Sequence, residues 1–297
     1  MVVIALDIGG SKIAGALVTE KYKLLHVSKA QTPASSGKVA ILALIEKTIS
    51  HLLEQSSKKV VAISISMPGF TDDKGVISFA GTVLADLVGV PLHDRLKKKF
   101  DLPIFIENDA LCFTLAESLF GAGKNIFTVA GIIWGTGIGS ALIMKPRKGK
   151  VPFLMDSRME LGHIPLFNTQ SHRMSTLEHL AGGHFIMKRY QQRGGKLRHI
   201  SVADIYSSKE PAAKAVMKEA IEYLAQGLSI VVNTLHPEII IIGGGVSQLP
   251  DSVYKQLTKL VKKYALPTHT KNLHIVRYGI SADAGLFGAA ALVYGKK

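Results

Sequence analysis

Cysteine is almost absent from this chain, and its absence limits the kind of protein the chain can form. Among 297 residues only Cys112 carries a thiol, so no disulfide can form within the chain. Small secreted scaffolds held together by disulfides are thereby excluded, and a lone thiol is typical of proteins from a reducing compartment. We therefore expect a cytoplasmic protein.

Long apolar runs are missing as well. The longest ones have the length of strands, well below the roughly 20 residues that a membrane-spanning helix needs. The first run is interrupted by Asp7 and follows no basic segment, so it does not predict a secretory signal. With 47% hydrophobic and 20% charged residues, the composition is that of a globular protein, and we expect no membrane partner.

Acidic residues are scarce relative to basic ones. The chain has 36 Lys and Arg against 22 Asp and Glu, a net charge of +14. Such an excess favours anionic partners such as nucleotides, sugar phosphates or polyphosphate, although scattered charges also serve solubility. The dense basic cluster "KPRKGK" (145–150) lacks the interleaved aromatics of a surface that stacks on single-stranded nucleic acid.

The two halves of the chain show the same order of predicted elements. Three short apolar runs predict an antiparallel meander at the start, followed by a helix over 38–56, the buried strand "VVAISISM" and the strand "LPIFIEND". The order restarts at "IFTVAGIIWGTGIGSALIM", with long helices over 211–235 and 251–265. We predict an α/β protein of two domains with a cleft between them. The small domain comprises 1–116 with a C-terminal helix at 284–297, and the large one comprises 117–283.

A glycine turn joins two strands at corresponding places in the two halves, at 9–12 ("GGSK") and at 135–139 ("GTGIG"). Neither is a Walker A loop, because that loop leads into a helix and a strand follows here. "GTGIGS" also departs from the Rossmann fingerprint. Each turn alone could be an ordinary hairpin turn. Together they could hold the phosphates of one nucleotide through backbone N–H groups.

Acidic side chains stand where ligands usually bind in α/β proteins. Asp109 lies at the carboxyl end of the predicted strand "LPIFIEND", where a carboxylate can accept the proton of an attacking hydroxyl or can cap the next helix. Glu160 and His163 lie close together in "MELGH", with Glu178 downstream. Such residues are commonly surface residues. Converging with Asn108, they would instead form a site for a ligand rich in hydroxyls.

Six motifs in this order resemble the ROK family of sugar kinases and repressors, a branch of the actin-like ATPase superfamily. They are "LDIGGSKIAGALV", "PGFTDDKGVI", "IENDALCFTLAESLFGAG", "WGTGIGSALI", "ELGH" and "HPEIIIIGGGVS", and they span nearly the whole chain. The resemblance implies two RNase-H-like domains, ATP with magnesium, and transfer of the γ-phosphoryl group to the 6-hydroxyl of a hexose or N-acetylhexosamine.

The resemblance also implies a role for each motif residue. Asp109 would be the general base, and Asp7 would hold magnesium directly or through water. The sugar would be bound by Thr82, Asn108, Asp109, Glu160, His163 and Glu178. The nucleotide would be bound by Asp7, Gly9, Gly10, Ser11, Lys12, Gly135, Thr136, Gly137, Gly244 and Gly245.

Two features depart from the family pattern. Members usually hold zinc with the histidine of the Glu-x-Gly-His motif and three closely spaced cysteines, yet "HIPLFNTQSHRMSTLEHLAGG" contains no cysteine. We therefore expect no structural zinc, and a loop around His163 held by packing or hydrogen bonds. Thr82 stands where family kinases usually place an asparagine against the sugar, so the identity of the substrate stays open among glucose, N-acetylmannosamine and N-acetylglucosamine.

Two alternatives come from the same family and fold. Repressors of the family carry a helix-turn-helix ahead of the first phosphate motif, whereas this chain starts with the strand of that motif, so we expect an enzyme and no nucleic-acid partner. A catalytically silent sugar sensor is the first alternative. Polyphosphate in place of ATP is the second, and it would bind with strong salt dependence. The habit of the family suggests a homodimer.

Overall fold

The structure is a computed structural model that describes residues 1–145, 153–154, 159–198, 200–280 and 283–295, with the backbone alone at 82–83 and 153–154. The strands are β1 (Val2–Ile8), β2 (Lys12–Thr19), β3 (Leu24–Gln31), β4 (Val60–Met67), β5 (Gly69–Thr71), β6 (Ile77–Ala80), β7 (Ile104–Asn108), β8 (Thr128–Trp134), β9 (Ile138–Met144), β10 (Phe153–Leu154), β11 (Pro165–Asn168), β12 (Arg173–Thr176), β13 (Ile239–Gly243) and β14 (His274–Arg277). The helices are α1 (Gly37–Glu54), α2 (Leu92–Phe100), α3 (Asp109–Phe120), α4 (Leu177–Ala181), α5 (Gly183–Gln192), α6 (Val202–Ser207), α7 (Pro211–Leu235), α8 (Asp251–Tyr264), α9 (Pro267–Thr270) and α10 (Ala284–Tyr294).

The chain forms two compact units, the first made of residues 1–116 and 280–297 and the second of residues 117–279. The first unit is built on a five-stranded sheet in the order β3-β2-β1-β4-β7. Its first three strands are antiparallel, as the sequence predicts, and β4 and β7 run parallel to β1. Apolar residues of β1 and β4 pack against α1 in a core that includes Leu6, Ile45, Ile49 and Ile63.

Helix α10 packs closely within the first unit because its residues are small. A Cβ atom at Gly288 would lie 1.9 Å from the carbonyl oxygen of Cys112, so only glycine allows this approach. The hydroxyl of Ser64 on β4 donates a hydrogen bond to the carbonyl oxygen of Ala289 at 2.6 Å. The C-terminal helix predicted from the run of small residues is confirmed.

The second unit repeats the same topology. Its five-stranded sheet has the order β10-β9-β8-β13-β14, with β8, β9 and β10 antiparallel and β13 and β14 parallel to β8. Helix α7 is the longest helix described, and its buried face packs with α4, α5 and α8 around Trp134 and Tyr190. No helix in the described ranges is long and apolar enough to cross a membrane.

The long elements follow the sequence pattern, whereas several short ones do not. The hairpins β5–β6 and β11–β12 and the helices α2, α5 and α6 have no counterpart among the predictions. Strands of three or four residues and helices of one or two turns contain too few repeats of their period for a pattern to identify them. The helix after "IEN" begins at Asp109, the residue with which the predicted strand "LPIFIEND" ends.

Candidate active site

The first glycine turn, residues 9–11, connects β1 to β2 in the first unit. The amide of Gly9 donates to the carbonyl oxygen of Lys12 at 2.9 Å, which closes the turn. Thr32 anchors it from behind, since its hydroxyl donates to Gly9 O at 2.7 Å and its amide donates to Ser11 O at 3.1 Å. The side chains of Ser11 and Lys12 are exposed. The turn therefore presents a hydroxyl and an ammonium group to solvent.

Asp7 lies on β1 just before this turn and is only partly exposed. The hydroxyl of Ser66, its register partner on β4, donates to Asp7 Oδ1 at 2.9 Å. Burial raises the pKa of Asp7, while the hydrogen bond from Ser66 and the charge of Lys12 act in the opposite direction. A Cβ atom at Gly285 would lie 2.4 Å from Asp7 Cγ, so the first turn of α10 lies against the carboxylate.

The surroundings of Asp7 fit a magnesium ion carried by a nucleotide. Magnesium in phosphate-transfer sites is typically held by one or two carboxylates, with phosphate oxygens and water completing the shell. Asp7 supplies a carboxylate next to a turn with an exposed hydroxyl and ammonium group. Among the described residues no group of three or more His, Cys, Asp or Glu is arranged to hold a metal ion by itself. A site that uses the phosphates of the nucleotide does not need such a group.

Asn108 and Asp109 lie where β7 ends and α3 begins. Asn108 Oδ1 accepts hydrogen bonds from the amides of Ala110 at 2.9 Å and Leu111 at 3.3 Å, the positions that an N-cap side chain reaches. Its Nδ2 donates to Gly69 O at 3.2 Å. The alternative in which Asp109 caps this helix is therefore wrong, because Asn108 is the residue that precedes the first helical turn. Asp109 instead occupies the first turn, with Oδ1 accepting from the amide of Ala110 at 2.8 Å.

The β5–β6 hairpin is attached to Asn108 through Gly69. Gly69 has φ +117°, and a Cβ atom there would lie 2.1 Å from the carbonyl oxygen of Phe79 on β6, so glycine is required for the strands to meet. Thr82 begins a 3-10 helix, Thr82–Leu87, that follows β6 and Gly81. The side chain of Thr82 lies outside the described part of the structure.

The second glycine turn, residues 135–137, connects β8 to β9 and so occupies the same place in its sheet as the first turn does. The correspondence predicted for the two turns is confirmed. The carbonyl oxygens of Gly135 and Thr136 accept hydrogen bonds from the amides of Gly183 at 2.9 Å and His184 at 3.0 Å. The turn is thereby fixed to the start of α5, and the side chain of Thr136 is exposed.

Gly244 and Gly245 follow β13 and lie beside the second turn. Gly244 has φ +84°, and a Cβ atom there would lie 2.6 Å from the carbonyl oxygen of Trp134, so this glycine is required by the fold. A Cβ atom at Gly135 would lie 4.0 Å from the amide nitrogen of Gly245, so the two turns are neighbours. Gly245 itself is different, because apart from its two neighbours in the chain no described residue lies within 4 Å of the place where its own Cβ would be. The open space at Gly245 would admit a ligand close to the backbone.

Glu160, His163 and Glu178 come together next to the second turn. Glu178 Oε2 accepts a hydrogen bond from the amide of Ile138 at 2.9 Å, and a Cβ atom at Gly137 would lie 2.2 Å from the same oxygen. Glu160 Oε2 lies 4.0 Å from His163 Nε2. Burial raises the pKa of Glu160, with His163 lowering it and the charge of Glu178 raising it further. The three residues predicted to bind hydroxyls therefore share one site in the second unit.

Ser140 fixes the backbone on both sides of Glu160. Its hydroxyl donates to the carbonyl oxygen of Met159 at 2.7 Å and accepts from the amide of Leu161 at 3.1 Å. Gly162 adds a close approach, since a Cβ atom there would lie 2.4 Å from the carbonyl oxygen of Ile138. The sequence hints at Ser140 only as one polar residue in an apolar strand, and its partners are not visible from the pattern.

A comparison with known protein families agrees with the motifs, with their order and with the topology of the two five-stranded sheets. Residues 3–296 match the model of the ROK family. The chain belongs to the ROK family. The predicted α/β fold with two RNase-H-like domains is confirmed by solved structures of ROK sugar kinases that superimpose on the whole chain.

Curated relatives align with the chain almost from end to end. It is 28% identical to a glucokinase of Thermotoga maritima, with 98% of this chain and 96% of that protein aligned. It is 27% identical to an N-acetyl-D-glucosamine kinase of Histophilus somni, over 96% of this chain and 97% of that protein. The structure of a ROK family glucokinase from Streptomyces griseus, in complex with glucose and AMPPNP, matches with a TM-score of 0.78 and 26% identity, covering 98% of this chain and 99% of that one.

The segment without cysteines in this ROK chain forms the hairpin β11–β12. Asn168 Oδ1 accepts hydrogen bonds from the amides of Gln170 at 2.9 Å and Ser171 at 3.2 Å, which shape the turn. The hydroxyl of Tyr223 on α7 accepts from the amide of Thr169 at 3.0 Å and ties the turn to the core. Of the basic cluster at 145–150, residues 146–150 lie outside the described residues.

Proposed function

We propose that this protein is an ATP-dependent sugar kinase that transfers the γ-phosphoryl group to the 6-hydroxyl of a hexose or N-acetylhexosamine, with Asp109 as the general base. Membership of the ROK family and kinase relatives aligned over the whole chain support the enzyme class. Glucose, N-acetylmannosamine and N-acetylglucosamine are the proposed acceptors. A cytoplasmic homodimer completes the proposal, and the mass of the protein in solution would test its oligomeric state.

The contact between Glu178 and the second glycine turn carries this proposal. One carboxylate oxygen of Glu178 accepts the amide of Ile138, immediately after the turn proposed to hold phosphate. Glu160 and His163 lie in the same site. Residues suited to sugar hydroxyls and a turn suited to phosphate are thus adjacent within one unit, as transfer of a phosphoryl group to a sugar requires.

The phosphate side of the reaction is assigned to the two glycine turns. The backbone of the two turns would lie against the phosphates at Gly9, Gly10, Gly135 and Gly137, with the amides of Gly9 and Gly135 closing the turns. The side chains of Ser11, Lys12 and Thr136 would bind the phosphates, and Gly244 and Gly245 would lie beside the nucleoside. Magnesium, held by Asp7 directly or through water, would neutralise phosphate charge. Phosphoryl transfer depends mostly on positioning and on charge neutralisation, so a few fixed groups of this kind suffice.

The sugar side is assigned to Asp109 and to the residues predicted to bind hydroxyls. In the first unit Asp109 would accept the proton of the 6-hydroxyl as that oxygen attacks the γ-phosphorus. Its place in the first turn of α3 is set by Asn108, whose Oδ1 caps the helix. The remaining hydroxyls would be bound by Thr82, Asn108, Glu160, His163 and Glu178.

An assay of ADP release with magnesium-ATP tests the proposal across glucose, N-acetylmannosamine, N-acetylglucosamine, mannose and fructose. Asp109→Asn should bind the sugar but turn over about 10²–10⁴-fold more slowly, as expected for loss of a general base. Asp101→Asn is the matched control, because Asp101 ends α2 in the left-handed region and its exposed carboxylate pairs only with Lys97 in the described contacts. It should behave as the wild-type protein does.

The result separates the proposal from its two alternatives. ADP release that depends on a sugar and is lost in Asp109→Asn supports the kinase and names the acceptor. Faster turnover with polyphosphate than with ATP, weakening steeply as salt rises, would support the polyphosphate-dependent enzyme instead. Sugar binding without turnover on either donor would indicate a silent sensor.

A further inference from the structure

The 244–249 segment, which contains both glycines proposed to lie beside the nucleoside, is anchored by side chains from outside it. The carbonyl oxygen of Ser247 accepts hydrogen bonds from Nε of Arg277 at 3.0 Å and from the hydroxyl of Tyr254 at 2.7 Å. The carbonyl oxygen of Leu249 accepts from Nη2 of Arg277 at 2.7 Å. One guanidinium group therefore holds two carbonyls of the same short segment.

The segment also has an internal tie that orients its glycine turn. The hydroxyl of Ser247 donates to the carbonyl oxygen of Gly244 at 2.6 Å, and its amide donates to the same oxygen at 3.1 Å. The hydrogen bonds that hold Ser247 in place therefore also hold Gly244 in place. Gly244 in turn touches the backbone of Trp134 and Gly135, at the start of the second phosphate turn.

Arg277 is itself held in place by its surroundings. It is the last residue of β14 and pairs in register with Ile242 of β13, the strand that leads directly into the segment. Its Nη2 lies 3.2 Å from Asp251 Oδ1, and its Cζ lies 5.3 Å from the centre of the Tyr254 ring. A guanidinium group presents its donors in a rigid planar fork, which an ammonium group does not reproduce.

We propose that Arg277 is a positioning residue for the nucleotide, which keeps the 244–249 segment in the conformation that leaves Gly245 open to the nucleoside. The inference rests on the proposed function, because it takes the ligand of this segment to be ATP. Arg277 acts through backbone carbonyls, so its loss should weaken nucleotide binding. The sugar site at Glu160 and Glu178 has no part in these bonds and should keep its affinity.

Arg277→Lys tests the inference, with Arg193→Lys as the matched control. Arg193 lies in the same unit and makes two hydrogen bonds with Glu219, away from the 244–249 segment. For each variant we would measure the KM for ATP at saturating sugar, the KM for sugar at saturating ATP, and the Kd for AMPPNP by calorimetry. Hydrogen exchange of the amides at 244–249 in the nucleotide-free protein reports on the anchoring itself.

For Arg277→Lys we expect the KM for ATP and the Kd for AMPPNP to rise about tenfold, the effect of losing roughly one charged hydrogen bond. Exchange at 244–249 should be faster, and the KM for sugar should not change. Arg193→Lys should match the wild-type protein in all four measurements.

Two results would overturn the inference. One is an unchanged Kd for AMPPNP in Arg277→Lys, and the other is an equal rise in the KM values for both substrates, which would indicate general damage to the unit. Failure of the wild-type protein to bind AMPPNP would instead contradict the proposed function, and with it any nucleotide role of Arg277. The two failures are therefore distinguishable.

Discussion

The hydroxyl of Ser66 donates a hydrogen bond to Oδ1 of Asp7 across 2.9 Å, between neighbouring parallel strands. The bond compensates in part for burying an acid in an apolar strand, and burial still raises the pKa of Asp7. An acid whose burial lowers the stability of the folded protein is typical of functional sites. The hydrogen bond from Ser66 thus helps the strand "VVIALDI" to accommodate an aspartate.

We predict that Asp7→Asn stabilises the protein while impairing catalysis. The variant removes a buried charge, and an asparagine oxygen can still accept the hydrogen bond from Ser66. The free energy of unfolding should rise by about 1 kcal/mol in nucleotide- and magnesium-free protein, and turnover should fall by at least about a hundredfold. Chemical denaturation and the ADP-release assay measure the two effects. A variant that is less stable than the wild-type protein would contradict the argument from burial.

Glu160 should make sugar binding sensitive to acid. Burial raises its pKa above the ordinary value of 4.5, so protonation begins at a higher pH than for an exposed glutamate. Because a protonated carboxyl is a poorer acceptor for a sugar hydroxyl, the KM for sugar should rise as the pH falls toward this raised pKa. In Glu160→Gln the KM should be high throughout and should lose this pH dependence. An identical pH profile for variant and wild-type proteins would show that another group titrates.

The same raised pKa has a defined effect on stability. The folded state binds the proton of Glu160 more tightly than the unfolded state does, so the contribution of this group to stability is greatest below pH 4.5 and is lost as the pH rises through the folded pKa. The stability of Glu160→Gln relative to the wild-type protein should therefore be higher at a pH above the folded pKa of Glu160 than at a pH below 4.5. Denaturation midpoints of both proteins at several pH values would show the difference, and a parallel dependence in the two would refute it.

Removal of the buried acid Glu117 is predicted to lower the stability of the protein. Its Oε2 accepts hydrogen bonds from the amides of Ala122 and Gly279, each at 2.9 Å, and its side chain is fully buried. Glu117→Ala would leave both amides without a partner away from water, so the free energy of unfolding should fall by about 3 kcal/mol. Denaturant unfolding measures the loss.

Glu238→Ala provides the comparison for Glu117. Glu238 Oε2 accepts from the amides of Phe127 and Thr128, both at 3.0 Å, but lies partly exposed. Water can replace these bonds, so the loss should be about 1 kcal/mol. Equal losses for the two variants would show that burial does not set the cost.

The hairpin β11–β12 should be held without zinc. We expect a zinc chelator to leave the melting temperature unchanged and metal analysis to find no stoichiometric zinc. Tyr223→Phe should lower the free energy of unfolding by about 1 kcal/mol, because it removes the acceptor for the amide of Thr169. A melting temperature that drops on chelation would overturn this prediction.

Much of the fold could be predicted from the sequence because the long helices and strands are each specified by a pattern within their own residues. Alternation in β1 to β3, helical spacing in α1 and α7, and small residues in α10 each identify an element without knowledge of its neighbours. The short hairpins and helices could not be predicted, since they contain too few residues for a period to show. The first residue of α3 could not be predicted either, because Asn108 and Asp109 are both good N-cap residues. Only the hydrogen bonds of Asn108 in the folded protein decide between them.

The family, the order of the motifs and the residue types proposed for chemistry can be recognised in the sequence, since all of these are read along the chain. The contacts that hold these residues in place are visible only in the folded protein. Other elements contribute this support: Thr32 behind the first turn, Ser66 and Gly285 around Asp7, Ser140 beside Glu160, and Arg277 at the carbonyl oxygens of Ser247 and Leu249. Their roles depend on hydrogen bonds and close approaches between residues far apart in the chain, and such contacts leave no local pattern in the sequence.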